Sequence, residues 1–274
     1  LTKKYGKNEN LALDNVNLSI EEGCIFGLLG PNGAGKSTFI NILAGLTTKT
    51  SGLVKVCNVD IDHDPKTARG AIGVVPQEIN IDPFFTPLEI LNNQAGYYGI
   101  LKRNMINIKI LKDLNLFDKA NAYSRSLSGG MKRRLMLAKA MVHNPSVLVL
   151  DEPTAGVDVE LRKKLWEYIK KLNKSGTTII LTTHYLEEAE RLCDKIAIID
   201  RGNLVISESK EEILKIIDVK EMHVKLKNPI SKISSFLSKY VIFRSKDKTT
   251  IRLRYKKNII SSGEIIKKLI ENKC

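Results

Sequence analysis

The stretch Cys24-Ile25-Phe26-Gly27-Leu28-Leu29-Gly30-Pro31-Asn32-Gly33-Ala34-Gly35-Lys36-Ser37-Thr38 decides the fold. Residues 30–38 meet every fixed position of the phosphate-cradling pattern G-x-x-x-x-G-K-[ST]. The apolar run before them reads as a strand, and Phe39, Ile42, Leu43 and Leu46 behind them recur at helical spacing. Strand, glycine loop and helix in that order build an anion site. Glycines let backbone N–H groups close on phosphate oxygens, and the helix N-terminus adds roughly half a positive charge. Asn32, Gly33, Ala34, Gly35 and Thr38 are then loop residues around the ligand, Lys36 faces the β/γ-phosphates, and the Ser37 hydroxyl is offered to Mg²⁺. The implied ligand is a nucleoside triphosphate.

A second motif lies at Val147-Leu148-Val149-Leu150-Asp151-Glu152. Four apolar residues followed by two carboxylates read as a buried parallel strand that delivers acids at its C-terminal end, where ligands of open α/β sheets sit. Asp151 would hold the Mg²⁺ shell and Glu152 would polarise the attacking water, a general-base role worth about 10²- to 10⁴-fold in rate.

The discriminating element is Leu127-Ser128-Gly129-Gly130-Met131, a second Ser-Gly-Gly turn shortly before the acidic strand. This run resembles the signature of the ATP-binding cassette family, and the family's remaining landmarks fall in order. Tyr5 is similar to the aromatic that stacks on adenine and Gln77 to the glutamine of the Q-loop. Ala155-Gly156-Val157-Asp158 resembles the D-loop, and His184 the switch histidine. The resemblance covers about residues 1 to 209. It is closest to bacterial exporter ATPases of the drug-resistance and nodulation type, through residues 93–99 and 182–190.

That resemblance implies a phosphate-loop α/β fold with antiparallel N-terminal strands, a helical subdomain over about 78–142, and ATP and Mg²⁺ as ligands. It implies Lys36, Glu152 and His184 as catalytic residues, and Ser37, Gln77 and Asp151 around the metal. Ser128, Gly129 and Gly130 would face the γ-phosphate of ATP bound by a second copy, with Asp158 beside them. It further implies a membrane permease on a separate polypeptide, a homodimer on ATP binding, and a peripheral place on the cytoplasmic face of the inner membrane. The signature carries Met131 where the family usually has glutamine. The D-loop reads Ala-Gly-Val-Asp where Ser-Ala-Leu-Asp is commoner.

Simpler readings stand beside these. Ser128 also suits an N-cap, because Met131, Leu135, Ala138 and Met141 or Val142 mark a helix beginning there. Asp158 also suits a cap for a helix with an apolar face of Leu161, Leu165, Ile169 and Leu172. His184 follows the apolar strand Thr178-Ile179-Ile180-Leu181, Tyr5 suits packing near a terminus, and Gln77 rests on the resemblance alone.

Composition bounds the rest. The 274 residues can bury a large domain and a small one. No run reaches the 18 apolar residues of a membrane helix. The chain starts at Leu1 with no signal-peptide pattern. Cys24, Cys57, Cys193 and Cys274 lack metal spacing and suggest free thiols in a reducing cytoplasm. The net charge of +14 invites nucleic acid as a partner. The lysines are spread along the chain, however, and no nucleic-acid partner is expected. Lys132-Arg133-Arg134, the densest basic cluster, reads as a solvated helix face. A modest attraction to anionic lipid heads is compatible with this charge.

Pattern switches give the organisation. Val16, Leu18 and Ile20 alternate as a half-buried strand, and Asp200-Arg201-Gly202-Asn203 between apolar runs signals a hairpin. Phe84-Phe85-Thr86-Pro87 and Tyr97-Tyr98 in the helical segment suit either partner contact or core. Residues 210–274 form a separate α+β accessory unit. Met222, Val224 and Leu226 alternate, Ile230, Ile233, Phe236, Leu237 and Tyr240 have helical spacing, and Val241 to Phe243 is short and apolar. Ile251, Leu253 and Tyr255 alternate, and Ile265, Ile266, Leu269 and Ile270 are helical. The order β-α-β-β-α is a ferredoxin-like unit without its last strand, ending at Cys274. One phosphate loop, one signature and no internal repeat mean that a complete site needs two chains. The leading expectation is the energising subunit of a membrane exporter, with a cytosolic cassette ATPase acting on ribosomes or nucleic acid as the alternative. A regulatory cassette without turnover fits less well, given Lys36, Asp151, Glu152 and His184 together.

Overall fold

The computed structural model describes residues 1–6, 11–217, 219–227, 235–245, 247–256 and 259–271. It divides into two compact units, Leu1–Lys210 and Glu211–Cys274.

The first unit contains strands β1 (Lys3–Lys4), β2 (Leu11–Leu13) and β3 (Ile25–Leu29), helix α1 (Lys36–Leu43), and strands β4 (Lys55–Val56) and β5 (Val59–Asp60). Helix α2 (Pro65–Gly70) and strand β6 (Ile72–Val75) precede a helical segment of α3 (Pro87–Tyr97), α4 (Asn107–Asp113) and α5 (Gly129–Met141). The chain then alternates through β7 (Val147–Asp151), α6 (Val159–Lys174), β8 (Thr178–Thr183), α7 (Leu186–Leu192), β9 (Lys195–Asp200) and β10 (Asn203–Ser209).

Six strands form the central sheet in the order β10-β9-β3-β8-β7-β6. All neighbours are parallel except the β9–β10 hairpin. Strands β3 and β8 are buried along their whole length, as parallel strands covered on both faces must be. Phe26, Leu28, Phe39, Ile40, Ile42, Val149, Ile180, Ala197 and Ile199 share one core. Register places the site. Leu29 pairs with Thr183 and Asp151 with Thr182, so the residues that follow these strand ends, Gly30, Glu152 and His184, emerge along one edge of the sheet. The hairpin turn holds Arg201 and Gly202 at positive φ (46° and 79°), which a tight two-residue turn demands.

Helix α3 starts at a capping box. Thr86 Oγ1 accepts from Glu89 N–H while the Glu89 carboxylate accepts from Thr86 N–H, with Pro87 in the first turn. Helix α5 packs closely on β6 because Gly73 has no side chain, and a Cβ there would lie 2.3 Å from the Ala140 carbonyl oxygen. Phe84, Phe85 and Tyr97 are exposed at the surface of this segment, whereas Tyr98, at 39% exposure, stacks on the His143 ring.

Three expectations are corrected. Val16, Leu18 and Ile20 keep their alternating burial but pair with no strand among the described residues. Alternation reports a buried face and says nothing of a backbone partner. Leu46 is 73% exposed: α1 ends at Leu43, and Gly45 at φ 70° turns the chain away from the helix axis. The basic cluster is not a solvated face, since Arg133 is buried and Arg134 donates to the carbonyl oxygens of Leu114 and Asn115.

Helix α8 (Lys210–Ile217) leads into the second unit, which contains β11 (Val219–Lys225), α9 (Ser235–Ser238), β12 (Val241–Arg244), β13 (Thr250–Lys256) and α10 (Ser262–Glu271). The antiparallel order β11-β13-β12 inserts β13 between two strands joined by a crossover, the split β-α-β arrangement of ferredoxin-like folds. Leu237, Ile251, Leu253, Tyr255, Ile260, Ile265 and Leu269 form its own core. Ile230, Ile233 and Cys274 lie outside the described residues, as does the Leu161 side chain.

Candidate functional site

The glycine loop between β3 and α1 is held open by backbone geometry. Gly33 and Gly35 sit at φ 79° and 108°, and a Cβ on Gly35 would lie 2.5 Å from the Ala12 carbonyl oxygen. Ala34 O accepts the N–H of Gly202, so the β9–β10 turn braces the loop from behind. A cavity of about 300 Å³ opens here, lined by Ala12, Asn32 to Thr38, Gln77 and Glu152. That volume lies at the lower end of small-ligand pockets. Lys36 is buried and donates from Nζ to the carbonyl oxygens of Gly30 (2.7 Å) and Pro31 (3.1 Å), and it lies 4.0 Å from Glu152 Oε1.

Glu152 is the centre of the polar group. Its backbone is left-handed, φ 46°, a conformation that costs a non-glycine residue about 1 to 3 kcal/mol and clusters at functional sites. Two bonds from its N–H hold it there, to Thr182 O (3.2 Å) and Thr182 Oγ1 (3.1 Å). Its Oε2 accepts from Gln77 Nε2 at 3.1 Å, and its Oε1 lies 3.2 Å from His184 Nδ1. The Thr182 hydroxyl donates in turn to Asp151 Oδ1. Thus the end of β6 contributes Gln77, that of β7 Asp151 and Glu152, and that of β8 Thr182 and His184, all at the same sheet edge, and β3 contributes the loop.

The expected residues therefore separate into two groups. Asn32 to Thr38, Gln77, Asp151, Glu152 and His184 come together. Ser128, Gly129, Gly130, Asp158 and Tyr5 do not line the cavity. Ser128 caps α5, its Oγ accepting from Met131 N–H at 3.3 Å, so the helix N-terminus and its Ser-Gly-Gly turn coincide. Tyr5 is exposed, with the Lys3 ammonium 4.6 Å from its ring centroid.

Sequence reasoning missed four residues around this edge. Thr182 orders both carboxylate residues, and its signal was a polar Thr-Thr pair closing an apolar strand. Arg133 donates from Nη1 to Gln77 O (2.6 Å) and Pro76 O (3.4 Å), and from Nη2 to Ala155 O (3.4 Å). Burial pushes its guanidinium down from the ordinary value. Glu188 Oε1, buried on α7, accepts from Thr154 Oγ1 (2.8 Å) and Trp166 Nε1 (3.1 Å). Neither Arg133, Glu188 nor Thr154 carries a local pattern that distinguishes it from a surface residue.

For Mg²⁺ the donor set fits: a carboxylate, a hydroxyl and an amide oxygen from Asp151, Ser37 and Gln77 are the hard oxygen ligands this ion takes beside substrate phosphates. Among the described residues no group of three or more His, Cys, Asp or Glu could hold a metal.

A glycine loop after the central parallel strand β3, with two acids at the end of β7 and with β8 lying between these two strands, defines a phosphate-loop nucleoside triphosphatase. The ABC transporter family model matches residues 13–155, and the chain belongs to that family. It is 42% identical over 214 residues to Nod factor export ATP-binding protein I of Cupriavidus metallidurans, covering 77% of this chain and 70% of that one. The same-named protein of Ralstonia nicotianae is 42% identical over 218 residues, covering 78% and 67%. Among solved structures, the ATP-binding subunit of an ABC transporter superposes with TM-score 0.71 at 26% identity over 79% of this chain and 90% of that one. A dimeric ATP-binding cassette in a post-hydrolysis state, bound to ADP and Pi, superposes with TM-score 0.67 at 32% identity over 76% and 96%. This chain is the ATP-binding, ATP-hydrolysing subunit of an ABC transporter, and these relatives leave no support for the ribosome or nucleic-acid alternative. The post-hydrolysis relative is dimeric, and another similar structure, cbiO1 of Clostridium perfringens, is part of an ABC transporter complex. Among the described residues no helix is long and apolar enough to cross a membrane.

Proposed function

We propose that ATP binds with its phosphates on the N–H groups of residues 32–38 and on Lys36. Glu152 takes the proton of the attacking water, and His184 and Gln77 hold that carboxylate in place. Mg²⁺, held by Asp151, Ser37 and Gln77, would neutralise phosphate charge when bound. The Gln77 amide suits this double duty, because its Nε2 is engaged by Glu152 and its Oε1 is the atom left for a cation. Ser128, Gly129, Gly130 and Asp158 act on the nucleotide of a second copy. One observation carries this reading: the polar group around Glu152 is assembled within one chain, whereas the signature turn lies outside the cavity that group lines.

ATP then clamps two cassettes, since it touches the signature only in the closed dimer, and this differential affinity shifts the population. We propose that the clamp drives an exporter whose permease is a separate polypeptide, from the cytoplasmic face of the membrane. The export names of the relatives and the exposed Phe84, Phe85 and Tyr97 of the helical segment support this. Residues 210–274 would be an accessory unit, in keeping with the division after Lys210.

The test is Glu152→Gln. It should bind ATP and accumulate as an ATP-bound dimer on gel filtration. A variant that stays monomeric at saturating ATP, or that keeps full turnover, overturns the shared-site mechanism.

A further inference from the structure

Arg133 lies in the second turn of α5, the helix whose first residues form the signature turn, and it is 7% exposed. A buried cation is costly unless paired, yet no carboxylate partners it among the described residues. Its planar fork instead bonds carbonyl oxygens on two separate segments. One is Pro76-Gln77, where Gln77 reaches Glu152 with its side chain. The other is Ala155, three residues beyond Glu152. The adjacent Thr154 donates from Oγ1 to buried Glu188 of α7, the helix that follows His184. The short segment carrying Glu152 is thus fixed between a cation on the signature helix and a carboxylate on the switch helix.

We infer that Arg133 is a positioning residue that couples the two ends of the machine: it ties the signature helix, which meets the partner's nucleotide, to the placement of Glu152 at this chain's own nucleotide. Any shift of α5 on engaging the partner is transmitted through the guanidinium to the Gln77 carbonyl and to Ala155. The inference rests on the shared-site reading above. It makes the catalytic carboxylate of each protomer responsive to occupancy of the other site, although Arg133 itself touches no substrate.

The experiment compares the unaltered protein with Arg133→Met, Arg133→Lys and Glu152→Gln, using ATP with Mg²⁺. Arg133→Met should bind ATP within about twofold of the unaltered affinity. Its kcat should fall about 10²-fold, the scale of a small misplacement of a catalytic group. With Glu152 still present, it should accumulate as the ATP-bound dimer, because closure survives and hydrolysis does not. Arg133→Lys should share the kcat loss, since one ammonium cannot serve both carbonyl groups, and it carries the test if Arg133→Met fails to fold. Unaltered kcat per folded molecule in either variant overturns the proposal. So does an Arg133 variant that stays monomeric with ATP while Glu152→Gln dimerises, for that marks a merely structural role at the dimer surface. If Glu152→Gln itself stays monomeric, the shared-site reading fails, and with it the coupling between protomers.

Discussion

His184 Nδ1 lies 3.2 Å from Glu152 Oε1, joining the residues that follow the adjacent strands β8 and β7. The carboxylate is buried and its backbone left-handed, so the histidine is one of few groups that fix where it points. His184→Ala should lower kcat by about 10²-fold, within the range of a displaced general base. ATP affinity, set by the glycine loop, should change by less than about threefold. Steady-state turnover together with equilibrium binding of a fluorescent ATP analogue checks the split.

Gly35→Ala addresses the loop itself. The new Cβ would meet the Ala12 carbonyl oxygen at 2.5 Å, at a φ of 108° that side chains rarely adopt. Either the loop or β2 must move. ATP binding should be lost, and the urea midpoint should drop by the equivalent of about 1 to 3 kcal/mol. Retention of nucleotide affinity in a filter-binding assay would contradict the geometry.

Thr182→Val keeps the volume and removes the hydroxyl. Asp151 Oδ1 then loses its donor, and Glu152 N–H keeps only the longer bond to Thr182 O. Leaving a buried acceptor unpaired costs about 1 to 3 kcal/mol. Chemical denaturation should show a loss of that size, with kcat reduced as Glu152 is released from its strained backbone.

His143, just past the end of α5, links Tyr98 at the end of α3 to strand β6. Its ring stacks on Tyr98 with centroids 3.7 Å apart, and Nε2 lies 3.0 Å from Ile72 O. Burial lowers its pKa, outweighing the opposing effect of the Ile72 bond, and among the described residues its buried Nδ1 has no acceptor for the hydrogen that a second proton would place there. A depressed folded-state pKa means that the unfolded chain takes up the proton first. Stability is therefore full above the unfolded value of about 6.5 and is lost as pH falls below it. His143→Phe keeps the stack and should flatten the decline in urea midpoint between about pH 7 and pH 5. An identical slope in both proteins would refute the assignment.

Cysteine reactivity offers an independent check on packing. Cys57 is exposed, whereas Cys193 is buried and desolvation drives its thiol far above the ordinary range. Thiol labelling followed by peptide mapping should mark Cys57 within minutes. Cys193 should react only after denaturant is added.

Much of this molecule is legible as local pattern. The glycine loop, the acidic strand, the Ser128 cap, the Thr86 capping box and the Arg201-Gly202 turn are each written within a few residues. Each depends on backbone conformation or a near neighbour. The same holds for the alternation of Met222 and Val224 and of Ile251, Leu253 and Tyr255, and for the helical spacing of Ile265 and Leu269. Local pattern is silent where the answer is non-local. Val16, Leu18 and Ile20 alternate without a strand partner, Leu46 continues a period after its helix has stopped, and Arg133 sits in a basic run yet is buried.

By itself, then, the sequence determined that a phosphate site, two carboxylates and a signature turn exist, because each is a short motif whose chemistry needs those residue types at that spacing. Only the tertiary structure decided which of them meet. The parallel register of β3, β8 and β7 delivers Lys36, Glu152 and His184 to one edge and leaves Ser128 outside the cavity. Arg133 and Thr182 gain their roles from carbonyls and carboxylates brought to them across about 20 to 60 positions of chain. Such pairings are fixed by sheet order and packing, which no short window of residues contains.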